Sequence, residues 1–170
     1  IIAVVNQKGG VGKTTTAINV AACLATAGKK TLLIDADSQG NSTSGLAISK
    51  KNLLKNFYHF LIEDEDLANI IMETPVPDLH IVPANLDLLG INQELMALDQ
   101  KETHLKNLLM KSLGQDTKFY DFIIIDAPPN LDMMFINIMA AATKIIIPTL
   151  PEYLALEGLA DLIDTYRRIR

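Results

Sequence analysis

Between Lys8 and Thr15 the chain reads Lys-Gly-Gly-Val-Gly-Lys-Thr-Thr, so three glycines, two lysines and two hydroxyls share one short run. Side chains would keep an anion away from backbone N–H groups. Glycine at Gly9, Gly10 and Gly12 therefore opens the amides of the loop, that of Val11 included, to phosphate. In this arrangement Lys13 lies along the β- and γ-phosphates of a nucleoside triphosphate, and the Thr14 hydroxyl ligates magnesium. The general pattern has glycine where this chain has Gln7, which makes the loop a variant. No Asn/Thr-Lys-x-Asp guanine-reading pattern occurs, so the triphosphate expected is ATP, with Mg2+.

Three carboxylates follow apolar runs: Asp35 and Asp37 after Thr31-Leu32-Leu33-Ile34, and Asp126 after Phe122-Ile123-Ile124-Ile125. An aspartate at a strand end can orient a water on magnesium, and strand ends are where ligands of α/β folds collect. Singly, each reads as a strand-end cap; together, near one phosphate site, they point to phosphoryl chemistry. The acids of residues 63–66 read as solvated surface. Cys23 is the sole cysteine, which excludes an internal disulfide and cannot by itself supply a cysteine-based metal site; its apolar helical setting predicts a small core residue.

These groups need elements that bring strand ends together. Residues 1–5 form a β-branched run leading into the loop, and residues 14–27 read as the helix behind it, stopped by Gly28. That helix aims the positive end of its dipole at the loop. Residues 31–34 read as a second buried strand, completing a β-loop-α-β unit with a right-handed crossover. Residues 38–45 are polar and expected to be a loop, a candidate switch. Helical spacing over residues 53–72 ends where Pro75 and Pro77 break the chain before a strand at 79–82. Amphipathic helices are expected at 86–98 and 102–113, a strand at 122–125, a helix at 131–142, a strand at 144–148 and a last helix at 154–170.

Composition agrees with that layout. Of the 170 residues, 49% are apolar, enough for the core of one domain, and residues 1–170 are read as a single P-loop ATPase domain. Aromatics are only 5% and tryptophan is absent, which suits helices on a buried parallel sheet better than a β-sandwich. The fold class expected is α/β, a three-layer P-loop NTPase fold with a mostly parallel sheet flanked by helices. A formal net charge of −5 gives no global pull toward nucleic acid or anionic membrane. Arg167, Arg168 and Arg170 read as a solvated helix end. No run approaches the ~18 apolar residues of a membrane span and no signal peptide precedes the first strand, so a cytoplasmic protein is expected. The chain opens inside a strand and stops inside an apparent helix, which reads as a domain incomplete at its C-terminus.

The motifs together resemble one family closely: the deviant Walker A ATPases of the ParA/Soj and MinD group, which partition chromosomes and plasmids or place the division site. Lys8 in the loop is the signature. The resemblance continues through Asn6-Gln7-Lys8, the block from Asp35-Ala36-Asp37 to Ser44-Gly45-Leu46, Asp126-Ala127-Pro128-Pro129, and Glu152-Tyr153-Leu154-Ala155-Leu156-Glu157-Gly158. Order and spacing are those of the ParA/Soj branch; MinD matches less well in the second block. It covers nearly all of the chain, and the family continues for roughly another third.

The resemblance implies specific roles. Lys8 would reach across a nucleotide-dependent homodimer to the phosphates bound by the second subunit. Gly9, Gly10, Val11, Gly12, Lys13, Thr14 and Thr15 would bind the triphosphate, Thr15 at the α-phosphate. Asp37 would orient the attacking water, Thr14 and, through water, Asp126 would hold magnesium, and Asp35 would be a supporting carboxylate. Ser38 stands where the family usually has proline, Asn130 where serine is common, and Leu150-Pro151 where a glutamine-containing pair is usual. These departures touch the switch and dimer contacts and leave the phosphate groups intact.

The function implied is a slow, magnesium-dependent ATPase acting as a dimerisation switch in chromosome or plasmid partitioning. A ParB-like activating protein, nonspecific DNA and association with the nucleoid go with it, and no transmembrane segment does. The alternatives are a non-hydrolysing nucleotide-binding regulator and a MinD-like division-site ATPase. An iron-sulfur donor of the nitrogenase iron-protein type is disfavoured by the single cysteine.

Overall fold

A computed structural model of the chain describes residues 1–114, 119–151, 163, 166 and 167. Six strands form one sheet: β1 (Ile2–Val4), β2 (Thr31–Asp35), β3 (Met72–Glu73), β4 (Leu79–Val82), β5 (Phe122–Asp126) and β6 (Lys144–Ile146). Their order is β3-β4-β2-β5-β1-β6. Every neighbouring pair is parallel except β3 with β4, where Met72 faces Ile81 and Glu73 faces His80 in antiparallel register.

The helices are α1 (Lys13–Thr26), α2 (Asn41–Gly45), α3 (Phe57–Ile62), α4 (Ile91–Met96), α5 (His104–Gly114) and α6 (Met133–Ala141). They cover both faces of the sheet because successive strand residues point to opposite sides. Leu32, Ile34 and Ile125 pack on one face with Phe57, Phe60 and Phe135. Leu33, Ile81 and Ile124 pack on the other against Ala17, Ala21 and Ala25 of α1. Each fully buried Leu or Ile contributes roughly 1.5–3 kcal/mol of transfer free energy. The layered, mostly parallel α/β fold expected from the sequence is the fold observed.

Several expectations need correction. Cys23 is exposed, not a core residue. The inward stripe of α1 is Ala17, Ala21 and Ala25, spaced by four, and a residue two positions from Ala21 points away from it. Part of the loop expected at 38–45 is the helix α2. The helix expected at 86–98 is split into a 3-10 turn at Leu86–Leu88 and α4, because Gly90 between them sits at φ 84°. Within 53–72 only α3 and a 3-10 turn at Leu67–Asn69 are helical, and the stretch ends at the edge strand β3. Glu63, Asp64 and Asp66 are exposed as expected; Asp66 caps the 3-10 turn by accepting the Ala68 N–H at 2.9 Å, and Glu65 pairs with Lys55.

Gly28 ends α1 at φ 77°, where the Lys29 N–H bonds the Leu24 carbonyl at 3.1 Å. Most of the helix expected at 154–170, with Glu152–Gly158, Arg168 and Arg170, lies outside the described residues. Among the described residues no helix is long and apolar enough to cross a membrane.

Candidate functional site

β1 and β2 are consecutive in the chain but β5 lies between them, so the strand order reverses there. Open α/β sheets bind ligands outside the carboxyl ends of their strands at such a point. Register brings the chemistry together: Val4 and Asp35 both stand opposite Asp126, on either side of β5. The glycine loop leaves β1 at this edge.

The loop is shaped by glycine where α1 begins. Gly12 is the helix N-cap at φ 89°, in the left-handed region, and offers no side chain to the first-turn amides. Those amides are left for an anion. A Cβ placed at Gly9, Gly10 or Gly12 would meet nothing within 4 Å. The open space is a cavity of about 370 Å³ bounded by these glycines, Lys13, Thr14, Thr15, Asp37, Asn41 and Pro129.

Lys13 is buried, and its Nζ donates to the Lys8 carbonyl at 3.1 Å. Burial lowers its pKa, while the charges of Asp126 and Asp37 pull the other way. Lys8 itself is exposed; its N–H donates to Asn6 Oδ1 at 3.0 Å, and Asn6 Nδ2 donates to the Pro148 carbonyl at 2.8 Å beyond β6.

Behind the loop lie two buried carboxylates. Asp35 Oδ2 accepts the Thr43 N–H at 2.8 Å and the Thr43 hydroxyl at 2.7 Å. Burial pushes its pKa up to about 7, with the Thr43 bonds opposing and the charge of Asp126 adding to the rise. Asp126 Oδ2 accepts the Ser42 hydroxyl at 2.7 Å. Its pKa is also raised by burial, against the Ser42 and Thr14 hydroxyls, which favour the ionised form.

Asp126 Oδ1 is buried and has no hydrogen-bond partner among the described residues. A buried carboxylate oxygen is costly to leave unsatisfied. Magnesium fits this donor set, since it keeps several waters and takes hard oxygens from one or two side chains and from phosphates. Among the described residues no cluster of three or more His, Cys, Asp or Glu side chains is arranged to hold a metal unaided.

The structure brings Gly9, Gly10, Gly12, Lys13, Thr14, Thr15 and Asp37 to one cavity. Asp126 sits behind it. The Val11 side chain is buried, Lys8 is exposed on the loop, and Asp35 lies under α2. Asn41 and Pro129 on the wall, and Ser42 and Thr43 on the carboxylates, were not identified from sequence. Each lies in a block that carries the family resemblance, and that was the signal available for them.

A larger cleft of about 480 Å³ lies beside β3 and α5, where His80 and Tyr120 bond each other at 2.7 Å. It lacks the glycine loop and the strand-end carboxylates.

A mostly parallel sheet, an open glycine loop capping α1 and carboxylates on the adjoining strand ends define a P-loop NTPase. Residues 1–170 match the family described as an AAA domain. The chain belongs, within it, to the ParA/Soj-type partitioning ATPases. It is 46% identical over 170 residues to the sporulation initiation inhibitor protein Soj of Bacillus subtilis, covering 100% of this chain and 66% of that one. It is 46% identical over 165 residues to the chromosome partitioning protein ParA of Myxococcus xanthus, covering 97% and 57%.

Among solved structures, cobyrinic acid a,c-diamide synthase from Mycobacterium smegmatis with bound ADP and magnesium superposes with a TM-score of 0.90 at 34% identity, covering 99% of this chain and 66% of that one. A plasmid partition protein from Borrelia burgdorferi gives 0.85 at 31%, covering 99% and 73%. The chain thus spans 57% to 66% of the length of these two curated relatives.

Proposed function

We propose that the protein is a magnesium-dependent ATPase that works as a dimerisation switch in chromosome or plasmid partitioning, with residues 1–170 as one ATPase domain. The observation that carries this reading is the buried Oδ1 of Asp126, without a hydrogen-bond partner among the described residues, at the strand end paired with Val4, where the open glycine loop leaves β1. Names of the relatives support the partitioning role, and the ADP and magnesium in the Mycobacterium smegmatis structure support the ligand.

In this reading the amides of Gly9, Gly10, Val11, Gly12, Thr14 and Thr15 hold the phosphates, and Lys13 exchanges the Lys8 carbonyl for phosphate oxygens. Thr14 and, through water, Asp126 hold magnesium, which when bound neutralises charge on the β- and γ-phosphates. Asp37 positions the attacking water, and Lys8 reaches the phosphates held by a second copy. Catalysis is then positioning and charge neutralisation. A cytoplasmic protein associating with the nucleoid, with a ParB-like activator and nonspecific DNA as partners, completes the proposal.

The test is ATP binding and phosphate release in parallel. Asp37→Ala is expected to bind Mg-ATP within about threefold of wild type while turnover falls about a hundredfold or more. Turnover equal to wild type in Asp37→Ala overturns the assignment. Binding and dimerisation without phosphate release in the wild type identify a non-hydrolysing regulator instead.

A further inference from the structure

We propose that Ser42 and Thr43 are positioning residues, which clamp α2 to the ends of β2 and β5 and so hold Asp37 in register with the phosphate loop. Consecutive residues of a helix diverge by about 100°. Here the two hydroxyls diverge onto two carboxylates that are themselves register partners, Asp35 and Asp126. Ser42 Oγ donates to Asp126 Oδ2 at 2.7 Å. Thr43 donates its hydroxyl and its N–H to Asp35 Oδ2, and its Oγ1 accepts the Ala84 N–H at 2.9 Å from the chain beyond β4. Three strand ends are thereby tied to one turn of helix.

The clamp is dry: Ser42, Thr43, Asp35 and Ala84 are each 0% exposed. Buried hydrogen bonds to carboxylates are stronger than those in water, and removing a donor strands the acceptor. The link to Asp37 is short. The Gly40 N–H bonds the Asp37 carbonyl at 2.8 Å, and the Gly40 backbone lies so close to Ala84 that a Cβ would stand 2.5 Å from the Ala84 oxygen. By occupying Oδ2 of Asp126, Ser42 also leaves Oδ1 as the oxygen without a partner among the described residues. The phosphate loop makes none of these bonds, so loosening the clamp should slow the chemical step and spare phosphate binding.

This inference rests on the roles proposed for Asp37 and Asp126, and the experiment separates the two. In the full-length protein, Thr43→Val removes the hydroxyl at nearly constant shape and Thr43→Ser keeps it. Three quantities are read: Mg-ATP affinity, phosphate release, and amide hydrogen exchange over residues 38–46. Thr43→Val is expected to keep affinity within about threefold, to slow phosphate release about tenfold and to lose protection over 38–46, and Thr43→Ser to restore both.

Wild-type release and protection in Thr43→Val overturn the inference. So does a Thr43→Ser variant as impaired as Thr43→Val, or an affinity that falls together with the melting temperature, which is what a purely structural role gives. If Thr43→Val does not fold, Ser42→Ala decides. It is expected to raise the magnesium concentration for half-maximal release severalfold, and an unchanged magnesium requirement overturns the inference. Failure of the ATPase reading looks different: Asp37→Ala turns over like wild type, whereas the exchange data still report the clamp.

Discussion

Lys13 and Lys8 are joined within their own loop, the Lys13 Nζ donating to the Lys8 carbonyl oxygen at 3.1 Å. The ammonium is held over the loop before any anion arrives. In the role proposed for Lys13, phosphate binding exchanges one acceptor for another and orders little new side chain, which is the advantage of preorganisation.

Lys13→Ala is therefore expected to weaken Mg-ATP binding by about a hundredfold or more, since a charge-assisted contact to phosphate is lost. Equilibrium binding of a fluorescent ATP analogue measures this. Affinity equal to wild type would remove Lys13 from the site.

Asp126→Asn should act on magnesium rather than on the phosphates. With EDTA present the variant is expected to bind ATP like wild type, whereas the gain in affinity that magnesium confers is expected to disappear. Titrations with and without the metal make the comparison, and an undiminished magnesium effect contradicts the role given to Oδ1.

Asp35 is expected to make the nucleotide-free protein pH-sensitive. Its pKa is raised by burial from the ordinary carboxylate value of 3.8 to about 7. The folded state therefore holds a proton that the unfolded chain has released, and this stability is complete below about pH 4 and lost as pH rises through about 7. Asp126 and Lys13 are shifted in the same cluster, so the informative quantity is the difference between wild type and Asp35→Asn. Urea unfolding between pH 5 and pH 7 should show wild type losing about 2 kcal/mol more than the variant, at 1.36 kcal/mol per pKa unit. Parallel curves would contradict the buried, protonated Asp35.

Two glycines in the left-handed region give a graded test of packing. Gly90 sits at φ 84° with nothing within 4 Å of a Cβ, whereas Gly40 sits at φ 57° with the Ala84 oxygen 2.5 Å away. Gly90→Ala is expected to cost about 1 kcal/mol from backbone strain alone, and Gly40→Ala about 3 kcal/mol because the Ala84 backbone must also move. Urea unfolding gives both values, and equal costs would mean that the Gly40 contact is loose.

What the sequence revealed follows from which forces act locally. The runs ending at Asp35 and Asp126 and the glycine loop are legible because buried parallel strands are continuous apolar stretches and because glycine alone suits that loop. α2 is not legible, since its residues Asn41-Ser42-Thr43-Ser44-Gly45 are poor helix formers held by two buried carboxylates, one of which, Asp126, is 84 residues away from Ser42. β3 escapes notice because two exposed residues at a sheet edge carry no period. Cys23 was misplaced by composition: an alanine-rich helix gives several apolar positions, and only the spacing of Ala17, Ala21 and Ala25 tells which ones face the sheet.

The dimerisation switch proposed above must double its mass when it binds ATP. Sedimentation equilibrium of the full-length protein with magnesium and a non-hydrolysable ATP analogue should give twice the mass found without nucleotide or with ADP, and Lys8→Ala should bind the analogue yet keep the single-chain mass. One mass under all conditions, or a Lys8→Ala protein that doubles like wild type, would contradict a dimer completed by Lys8.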